Sequence, residues 1–331
     1  MLYRTLGKTN LKVSEVGIGT WQLARGGDMW TDPDENESLK ALAHFVDMGG
    51  NFIDSAWIYG YVGKTGHRYS HELIGKFLAE SKLRNKLIIA SKVPPKNMHW
   101  PALPGVPVSE VFPPDWIASC VDDTLRDLNT DYLDLMQFHV WQDYFVEDDA
   151  WKSAVQKIIK SGKVRFWGIS VNDYQPDNCL KTLDTGLISA VQFIFNIFHQ
   201  KPTETLLPYA AKNNIGLIAR VPLDEGGLTG KFSQNTKLPS ADFRNHYFRE
   251  PRLAELVKRT DALKTLIPDS QSLTQFALRY ILSWPEVSTV IPGMRKTSYV
   301  DTNISVSDGR KLPPALLSEL KNHSWERNFY I

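Results

Sequence analysis

The sequence has little of several features that mark particular classes of protein. Its 331 residues include only two cysteines, Cys120 and Cys179, which form no CxxC pair. We therefore expect two ordinary small apolar residues in a reducing compartment rather than a disulfide framework. No run approaches the ~20 apolar residues of a membrane helix, and the opening stretch MLYRTLGKTN has no apolar signal-peptide core. These absences predict a cytoplasmic protein with no membrane partner.

An excess of charge of either sign is also lacking. The chain has 38 Lys and Arg residues against 37 Asp and Glu residues. Nucleic-acid binding requires a basic face, so we expect no nucleic-acid partner. No linker and no low-complexity tract divides the chain, and 42% of its residues are hydrophobic, which is enough for a large core. We therefore predict one domain over residues 1–331. The sequence indicates no particular oligomeric state.

What the chain does have is a series of short apolar, β-branched runs. They show no strict apolar/polar alternation, which is typical of strands buried on both faces of a parallel sheet. Eight runs are predicted as strands: 16–19, 52–54, 87–92, 133–139, 164–170, 189–193, 216–220 and 288–293. Helical patterns fill the gaps between them: 34–50, 71–80, 115–128, 149–162, 176–186, 203–214 and 272–285.

This alternation of strands and helices predicts a closed (β/α)₈ TIM barrel, with an open doubly wound sheet as the alternative. The opening residues 2–14 contain a turn and are predicted as an N-terminal hairpin that closes the barrel floor. Residues 94–114 and 228–250 are predicted as extended loops at the C-terminal face of the barrel. These two loops and the C-terminal tail ending WERNFYI would determine substrate specificity.

Polar side chains follow the predicted strands at the end where a barrel carries its active site. In strand order, the residues at these strand ends are Gly19, Thr20 and Trp21; Asp54 and Tyr59; Lys92; His139; Ser170 and Asn172; Gln192 and Asn196; Arg220; and Gly293, Arg295 and Lys296. Because the strands of a barrel are parallel, we expect these residues to form a shared rim.

Four residues of this rim indicate a reaction. A free tyrosine has a pKa of ~10, which is high for an acid at neutral pH, and a cation such as Lys92 would lower the pKa of Tyr59. Asp54 would keep the lysine charged and oriented, and His139 would bind a carbonyl oxygen. The set predicts a proton donor aimed at an oxygen that gains negative charge, as in carbonyl reduction by hydride.

Several stretches that contain these residues resemble motifs of the aldo-keto reductase family, and the resemblance extends over nearly the whole chain. DSAWIYG resembles the signature with the family's aspartate and tyrosine acid, ASK the segment with its catalytic lysine, and LDLMQFH the strand ending in its catalytic histidine. GKVRFWGISVN, VQFIFN, VPLDEGGLTGKF and VSTVIPGMRKTSYVDTNI resemble its cofactor-binding segments. The resemblance implies a (β/α)₈ barrel, no metal, and NADPH-dependent reduction of an aldehyde or ketone, with Asp54, Tyr59, Lys92 and His139 as catalytic residues.

The resemblance also implies a cofactor site. Its residues would be Gly19, Thr20, Trp21, Asp54, Ser170, Asn172, Gln192, Arg220, Pro222, Leu223, Gly226, Leu228, Lys231, Gly293, Arg295, Lys296, Tyr299 and Asn303. Ser170 and Asn172 would hold the nicotinamide carboxamide, and the loop containing Lys231 would cover the pyrophosphate. Arg220 stands where many members carry an aromatic ring; its guanidinium is planar and can stack, but it adds charge.

The stretch PGMRKTS predicts a preference for NADPH over NADH. Arg295 and Lys296 precede a short predicted helix, 297–303, whose first N–H groups and dipole favour an anion. Two cations at this helix end are understandable if they bind the 2′-phosphate of NADP. Tyr299 stands where many relatives place a further arginine, so some use of NADH is expected.

A substrate pocket is predicted from Trp21, Tyr59 and Trp141, since an aromatic barrel mouth suits a small or ring-bearing substrate. Two other functions remain open from the sequence. One is a Schiff-base aldolase with Lys92 as nucleophile, which accounts for Lys92 and Tyr59 but not for Ser170 and Asn172. The other is a regulatory subunit that binds the cofactor with little turnover.

Overall fold

The structure is a computed structural model that describes residues 1–23, 25, 30, 33–268 and 271–330. Ile331, the last residue of the predicted domain and tail, lies outside the described residues. The described strands are β1 (Tyr3–Thr5), β2 (Lys12–Ser14), β3 (Ile18–Gly19), β4 (Phe52–Asp54), β5 (Tyr61–Val62), β6 (His67–Arg68), β7 (Ile88–Val93), β8 (Leu133–Trp141), β9 (Val164–Val171), β10 (Ile188–Ile194), β11 (Gly216–Arg220) and β12 (Thr289–Val290).

Eight of these strands form one parallel sheet that closes into a barrel. The order is β12-β11-β10-β9-β8-β7-β4-β3, and every neighbouring pair is parallel. Bridges between Val16 and Val290 and between Gly19 and Gly293 join the first strand to the last. The Gly17 amide donates to the Val290 carbonyl at 2.8 Å. The predicted (β/α)₈ TIM barrel is confirmed, and the open-sheet alternative is excluded.

Helices occupy the connections between the strands. They are α1 (Glu35–Asp47), α2 (Tyr69–Ser81), α3 (Val108–Val111), α4 (Pro114–Asp127), α5 (Ala150–Lys160), α6 (Leu180–Asp184), α7 (Leu206–Asn213), α8 (Arg244–Tyr247), α9 (Arg252–Lys264), α10 (Leu273–Leu282), α11 (Thr297–Ile304) and α12 (Pro314–Leu320). Each predicted helix appears, with α6 shorter than its pattern. The α1 N-cap is confirmed, because the Asp34 side chain accepts from the Glu37 amide at 2.9 Å.

The amino end of the barrel is closed as predicted by the β1–β2 hairpin, which is antiparallel. Its side chains Leu6, Leu11 and Val13 are buried in one cluster with residues that line the barrel interior. Gly7 lies at the turn with a φ of 49°, and a Cβ there would approach the Gly216 amide nitrogen to 2.2 Å. Only glycine permits this approach together with this left-handed backbone.

The second core lies between the strands and the surrounding helices. Both cysteines are free and buried there, in agreement with the expectation of ordinary apolar residues. Burial raises the pKa of the Cys120 thiol. Among the helices that the structure describes, none combines the length and the apolar character that crossing a membrane requires.

Candidate active site

A buried ion pair lies at the carboxyl end of two neighbouring strands. Asp54 ends β4 and Lys92 lies on β7, and the Lys92 Nζ donates to Asp54 Oδ2 at 2.5 Å and to the Ser55 carbonyl at 2.8 Å. The lysine side chain is 0% exposed and the aspartate 2% exposed. Burial lowers the pKa of Lys92 and Asp54 opposes that shift. A buried ammonium needs such a partner, so Lys92 is not a solvated surface residue.

Two glutamines complete the shell of Asp54. Gln192 Nε2 donates to Asp54 Oδ1 at 2.7 Å, and Gln137 Nε2 approaches the same oxygen at 3.4 Å. Thr20, expected at the cofactor, donates its hydroxyl to the Asp54 carbonyl at 3.0 Å and contacts Ser70 Oγ at 2.7 Å. Both Gln192 and Thr20 therefore hold Asp54 in place in this structure.

Tyr59 lies directly above this ion pair. Lys92 Nζ is 5.0 Å from the centroid of its ring, and in the described part of the chain no hydrogen bond joins Nζ to the phenol oxygen. Burial and the negative charge of Asp54 raise the pKa of Tyr59, while Arg220 opposes the shift. The net shift is therefore upward, and a lowering of this pKa by Lys92 stays a prediction. The phenol is protonated at neutral pH, which is the form a proton donor needs.

His139 faces Tyr59, with ring centroids 6.2 Å apart. Burial and the cations Lys92 and Arg220 hold the pKa of His139 well below its usual value, so the imidazole is neutral. Its Nδ1 is buried without a hydrogen-bond partner among the described residues. A neutral imidazole can donate one hydrogen bond to a carbonyl oxygen without adding charge to the site.

The backbone is strained immediately after two of the rim residues. Val140, after His139, has a φ of 55°, and Val221, after Arg220, has a φ of 51°. Positive φ is a genuine outlier for a β-branched residue, and such outliers cluster at functional sites. The strain identifies the ends of β8 and β11 as positions where conformation is held by the surrounding fold.

Trp141 does not lie in the predicted substrate pocket. Its side chain is fully buried, packs against Phe138 at 5.0 Å and Trp151 at 5.0 Å, and donates from Nε1 to Thr182 Oγ1 at 2.9 Å. The left-handed residue Val140 separates it from His139, and the strand continues through Trp141 into the layer beneath the helices. The pocket assignment of Trp141 was wrong for this reason.

Other aromatic rings surround Tyr59 instead. Trp21 stacks on Tyr59 with centroids 6.0 Å apart and contacts Phe243 at 5.2 Å and Trp30 at 5.5 Å. Trp100 contacts the His139 ring edge to face at 4.7 Å. The sequence suggested Trp100 as a pocket-wall residue, but it did not assign Trp30 or Phe243 to the site.

The residues expected at the nicotinamide fall into two groups. Ser170 Oγ is buried and has no hydrogen-bond partner among the described residues, so it fits a carboxamide ligand. Asn172 is instead paired with Ala102, accepting from its amide at 3.2 Å and donating to its carbonyl at 3.1 Å. The Asn172 amide is therefore hydrogen-bonded to the 94–114 loop.

Arg220 is held by a partner that the sequence analysis missed. Its Nη2 donates to Asp173 Oδ1 at 2.7 Å and to the Val171 carbonyl at 3.1 Å. Burial lowers the pKa of Arg220, but Asp173 outweighs this effect and the pKa is raised. The guanidinium is therefore a fixed cation at the end of β11.

Of the residues expected at the adenosine and pyrophosphate end of the cofactor, Lys231 and Tyr299 lie close together. Lys231 Nζ is 4.6 Å from the centroid of the Tyr299 ring, and Lys296 is the N-cap of α11, with Arg295 half-buried just before it. The remaining expected residues lie in three places: at the barrel closure, where Gly19 pairs with Gly293; on the loop after β11, with Pro222, Leu223, Gly226 and Leu228; and on α11, where Asn303 is buried.

Two acidic residues on the loop after β11 are bound by the C-terminal tail. Asp224 pairs with Arg327, and Glu225 accepts a hydrogen bond from the Tyr330 hydroxyl. Burial raises the pKa of Glu225 to about 7. Within the described ranges, no three His, Cys, Asp or Glu side chains are grouped as a metal site would require.

Comparisons with known proteins agree with this geometry. The sequence model of the Aldo/keto reductase family matches residues 15–324. The aldo-keto reductase YhdN of Bacillus subtilis (strain 168) is 28% identical over 91% of this chain and 87% of its own length. The aldo-keto reductase yakc [NADP(+)] of Schizosaccharomyces pombe is 25% identical over 94% of this chain and 88% of its own length.

A solved structure gives the same result. The glycerol dehydrogenase AKR11B4 from Gluconobacter oxydans superposes with a TM-score of 0.77 and 27% identity, covering 97% of this chain and 94% of that chain. The barrel, the rim residues and these matches lead to one conclusion. The chain belongs to the aldo-keto reductase family, whose members are oxidoreductases that use nicotinamide cofactors.

Proposed function

We propose that residues 1–331 form one NADP-dependent reductase domain in which Tyr59 gives a proton to the carbonyl oxygen of an aldehyde or ketone. The observation that carries the proposal is the arrangement of three groups. The Lys92–Asp54 ion pair is buried beneath the protonated phenol of Tyr59, and the neutral imidazole of His139 faces that phenol. A carbonyl between Tyr59 and His139 would meet a donor on each side.

Each residue has a stated task in this reaction. When bound, the nicotinamide cofactor supplies a hydride to the carbonyl carbon. Tyr59 releases its hydroxyl proton to the oxygen as that oxygen gains charge, and His139 holds the same oxygen by a hydrogen bond. Lys92 stabilises the phenolate that Tyr59 becomes, because its ammonium is fixed by Asp54 close to the ring. In the opposite direction Tyr59 accepts the proton of an alcohol.

The chain has suitable groups for the cofactor. The unpaired, buried Ser170 Oγ suits the carboxamide of nicotinamide, and the Asn172 amide, although paired with Ala102, has one further N–H that could donate to it. The fixed guanidinium of Arg220 would lie against the nicotinamide ring in place of an aromatic side chain. The rings of Trp21, Trp100 and Phe243 would contact the substrate, and they favour a small or ring-bearing carbonyl compound.

The preference for NADP rests on the end of α11 and on the name of one relative. Arg295 and Lys296 lie at the N-terminus of this helix, where the dipole favours an anion, and a 2′-phosphate would complement both cations. The relative yakc carries NADP(+) in its name. Tyr299 on α11 would lie near the 2′-phosphate, and Lys231, which contacts Tyr299, would lie near the pyrophosphate.

The preference is tested by measuring Kd for NADPH and NADH in wild type and in Arg295→Ala. Loss of a charge-assisted contact should weaken NADPH binding by roughly 1.5–3 kcal/mol and leave NADH binding almost unchanged. Lys163→Ala is the control, because it removes an exposed cation that precedes β9 at the opposite end of the barrel. Equal weakening of both cofactors in Arg295→Ala would show that Arg295 does not bind the 2′-phosphate.

The activity itself is tested with a panel of aldehydes and ketones and NADPH, following cofactor oxidation by absorbance. We expect oxidation with at least one member of the panel. A covalent substrate adduct trapped by borohydride on Lys92 would indicate the aldolase instead, although an amine that is fully buried and paired with Asp54 is poorly placed as a nucleophile. NADPH binding without turnover across the panel would indicate the regulatory subunit.

A further inference from the structure

The loop after β11 has an unusual backbone. Of residues 221–226, Val221, Asp224, Glu225 and Gly226 have φ values of 51°, 50°, 53° and 99°. Only the last of these is a glycine. Left-handed conformations of other residues are unfavourable and persist where neighbouring structure holds them. We therefore expect contacts from neighbouring segments to hold this loop in its conformation.

Contacts to this loop come from the C-terminal segment, residues 325–330, and from Tyr247, whose hydroxyl donates to Asp224 Oδ1 at 3.0 Å. The Arg327 guanidinium pairs with Asp224, and the two side chains are 4% and 0% exposed. Tyr330 donates its hydroxyl hydrogen to Glu225 Oε1. Two consecutive left-handed residues are thus each held through their side chains by the same segment.

The segment is itself firmly attached to the barrel. The Trp325 amide donates to the Phe198 carbonyl at 2.8 Å, and Arg252 Nη1 donates to the Phe329 carbonyl at 3.2 Å. The Arg327 guanidinium also lies 4.2 Å from the centroid of the Trp325 ring. Because it is anchored at these points, the segment can act as a rigid support for the loop.

We propose that residues 325–330 support the cofactor site from outside, because Arg327 and Tyr330 hold residues 221–226 in the conformation that covers the bound cofactor. The inference rests on the proposed function and on the expectation from the sequence resemblance that the loop after β11 covers the cofactor pyrophosphate. Arg327 and Tyr330 are positioning residues that act through Asp224 and Glu225. Their loss weakens cofactor binding and leaves proton transfer from Tyr59 intact once cofactor is saturating.

Tyr330→Phe is the first test, since it removes one hydroxyl and keeps the ring. The loss of this hydrogen bond should raise the Kd for NADPH roughly five- to tenfold, while kcat at saturating NADPH should stay within about twofold of wild type. Tyr209→Phe is the matched control, because Tyr209 on α7 also donates to a carboxylate, that of Asp184. The control should leave the Kd for NADPH unchanged.

Arg327→Met is the second variant. It should weaken NADPH binding by more than Tyr330→Phe does; if it fails to fold, Tyr330→Phe decides. An unchanged Kd for NADPH in Tyr330→Phe, or a fall in its kcat without a change in Kd, overturns the inference and leaves the proposed function standing. A wild-type protein that binds neither NADPH nor NADH overturns both.

Discussion

The two ends of the barrel interior are built from opposite kinds of side chain. At the amino end, Leu6, Leu11 and Val13 of the hairpin fill the interior with an apolar cluster. At the carboxyl end, the Lys92–Asp54 pair is buried, and Ser170 Oγ is buried without a partner among the described residues. Burial of apolar surface stabilises the fold, whereas buried charges and unpaired polar atoms cost stability. The amino end therefore stabilises the fold, whereas the polar groups of the proposed site at the carboxyl end reduce that stability.

The backbone shows the same contrast. The hairpin makes its turn at Gly7, where the left-handed φ of 49° is easy for glycine. At the opposite end, Val140 and Val221 adopt φ values of 55° and 51°, which are unfavourable for β-branched residues. In the hairpin the left-handed positions are occupied by Gly7 and Asn10, residue types that adopt this conformation readily, whereas beside the site two valines adopt it.

Lys92→Met should have the largest effect on stability at the carboxyl end. It leaves Asp54 buried and without its cation, which typically costs about 3–5 kcal/mol in the free energy of unfolding. Turnover should also fall at least about tenfold, a loss of about 1.4 kcal/mol in transition-state stabilisation. Denaturant unfolding and steady-state kinetics measure the two effects.

The double variant Lys92→Met with Asp54→Asn is the matched control for that prediction. It removes the uncompensated charge, so much of the lost stability should return while turnover stays low. If turnover returned together with stability, Lys92 would be a structural residue and the comparison of the two ends would fail.

Leu6→Ala tests the amino end. The substitution removes a fully buried side chain from the cluster inside the barrel, so unfolding free energy should fall by about 2–5 kcal/mol. The kcat of the folded protein should be unchanged, because the hairpin is at the opposite end from Tyr59. A loss of kcat without a loss of stability would contradict this separation of roles.

Glu225→Gln tests the cost of a buried acid at the carboxyl end. Burial raises the pKa of Glu225 from 4.5 to about 7 in the folded chain. The folded state thus favours the protonated form, and wild-type stability relative to the variant should fall as pH rises from about 4.5 to about 7, by up to about 3 kcal/mol. The loss should remain above that range.

Glu319→Gln is the control, because Glu319 is exposed on α12. The difference in unfolding free energy between the Glu319→Gln variant and wild type should stay constant across the same pH range. Parallel wild-type and Glu225→Gln curves between pH 4 and 8 would show that Glu225 is not protonated preferentially in the folded state.

Trp100→Leu should have the smallest effect. Trp100 is 42% exposed and contacts His139 edge to face at 4.7 Å, so its loss should change stability little. Aromatic contacts contribute about 0.5–1.5 kcal/mol, so KM for a ring-bearing substrate should rise by roughly two- to tenfold. Leu103→Ala, in the same loop and 46% exposed, should leave KM unchanged. An unchanged KM in Trp100→Leu would remove Trp100 from the pocket.

The periodicity of the sequence was sufficient for the barrel, because eight buried strands and the helices between them have distinct patterns. It was also sufficient to identify the rim: Asp54 and Lys92 meet because neighbouring parallel strands end at one face. The α9 helix was missed because its residues are among the most polar of the helical segments and give a weak pattern.

Side-chain direction and loop contacts could not be predicted in the same way. Trp141 follows His139 by two residues and was assigned to the pocket, but the positive φ of Val140 was not visible in the sequence. The contacts of Asn172 with Ala102 and of Asp224 with Arg327 join residues 70 and 103 positions apart. Such pairs depend on the fold, and no local pattern indicates them.

Single-turnover oxidation of saturating NADPH by wild type, Tyr59→Phe and Tyr61→Phe, on a substrate that wild type reduces, tests the central claim most directly. Tyr59→Phe should keep the wild-type Kd for NADPH and lose about 10²–10⁴-fold in rate, because only the proton donor is removed. Tyr61→Phe is the control, since Tyr61 packs on Trp57 at 4.5 Å, and it should retain the wild-type rate. A Tyr59→Phe variant that oxidises NADPH at the wild-type rate would contradict the account.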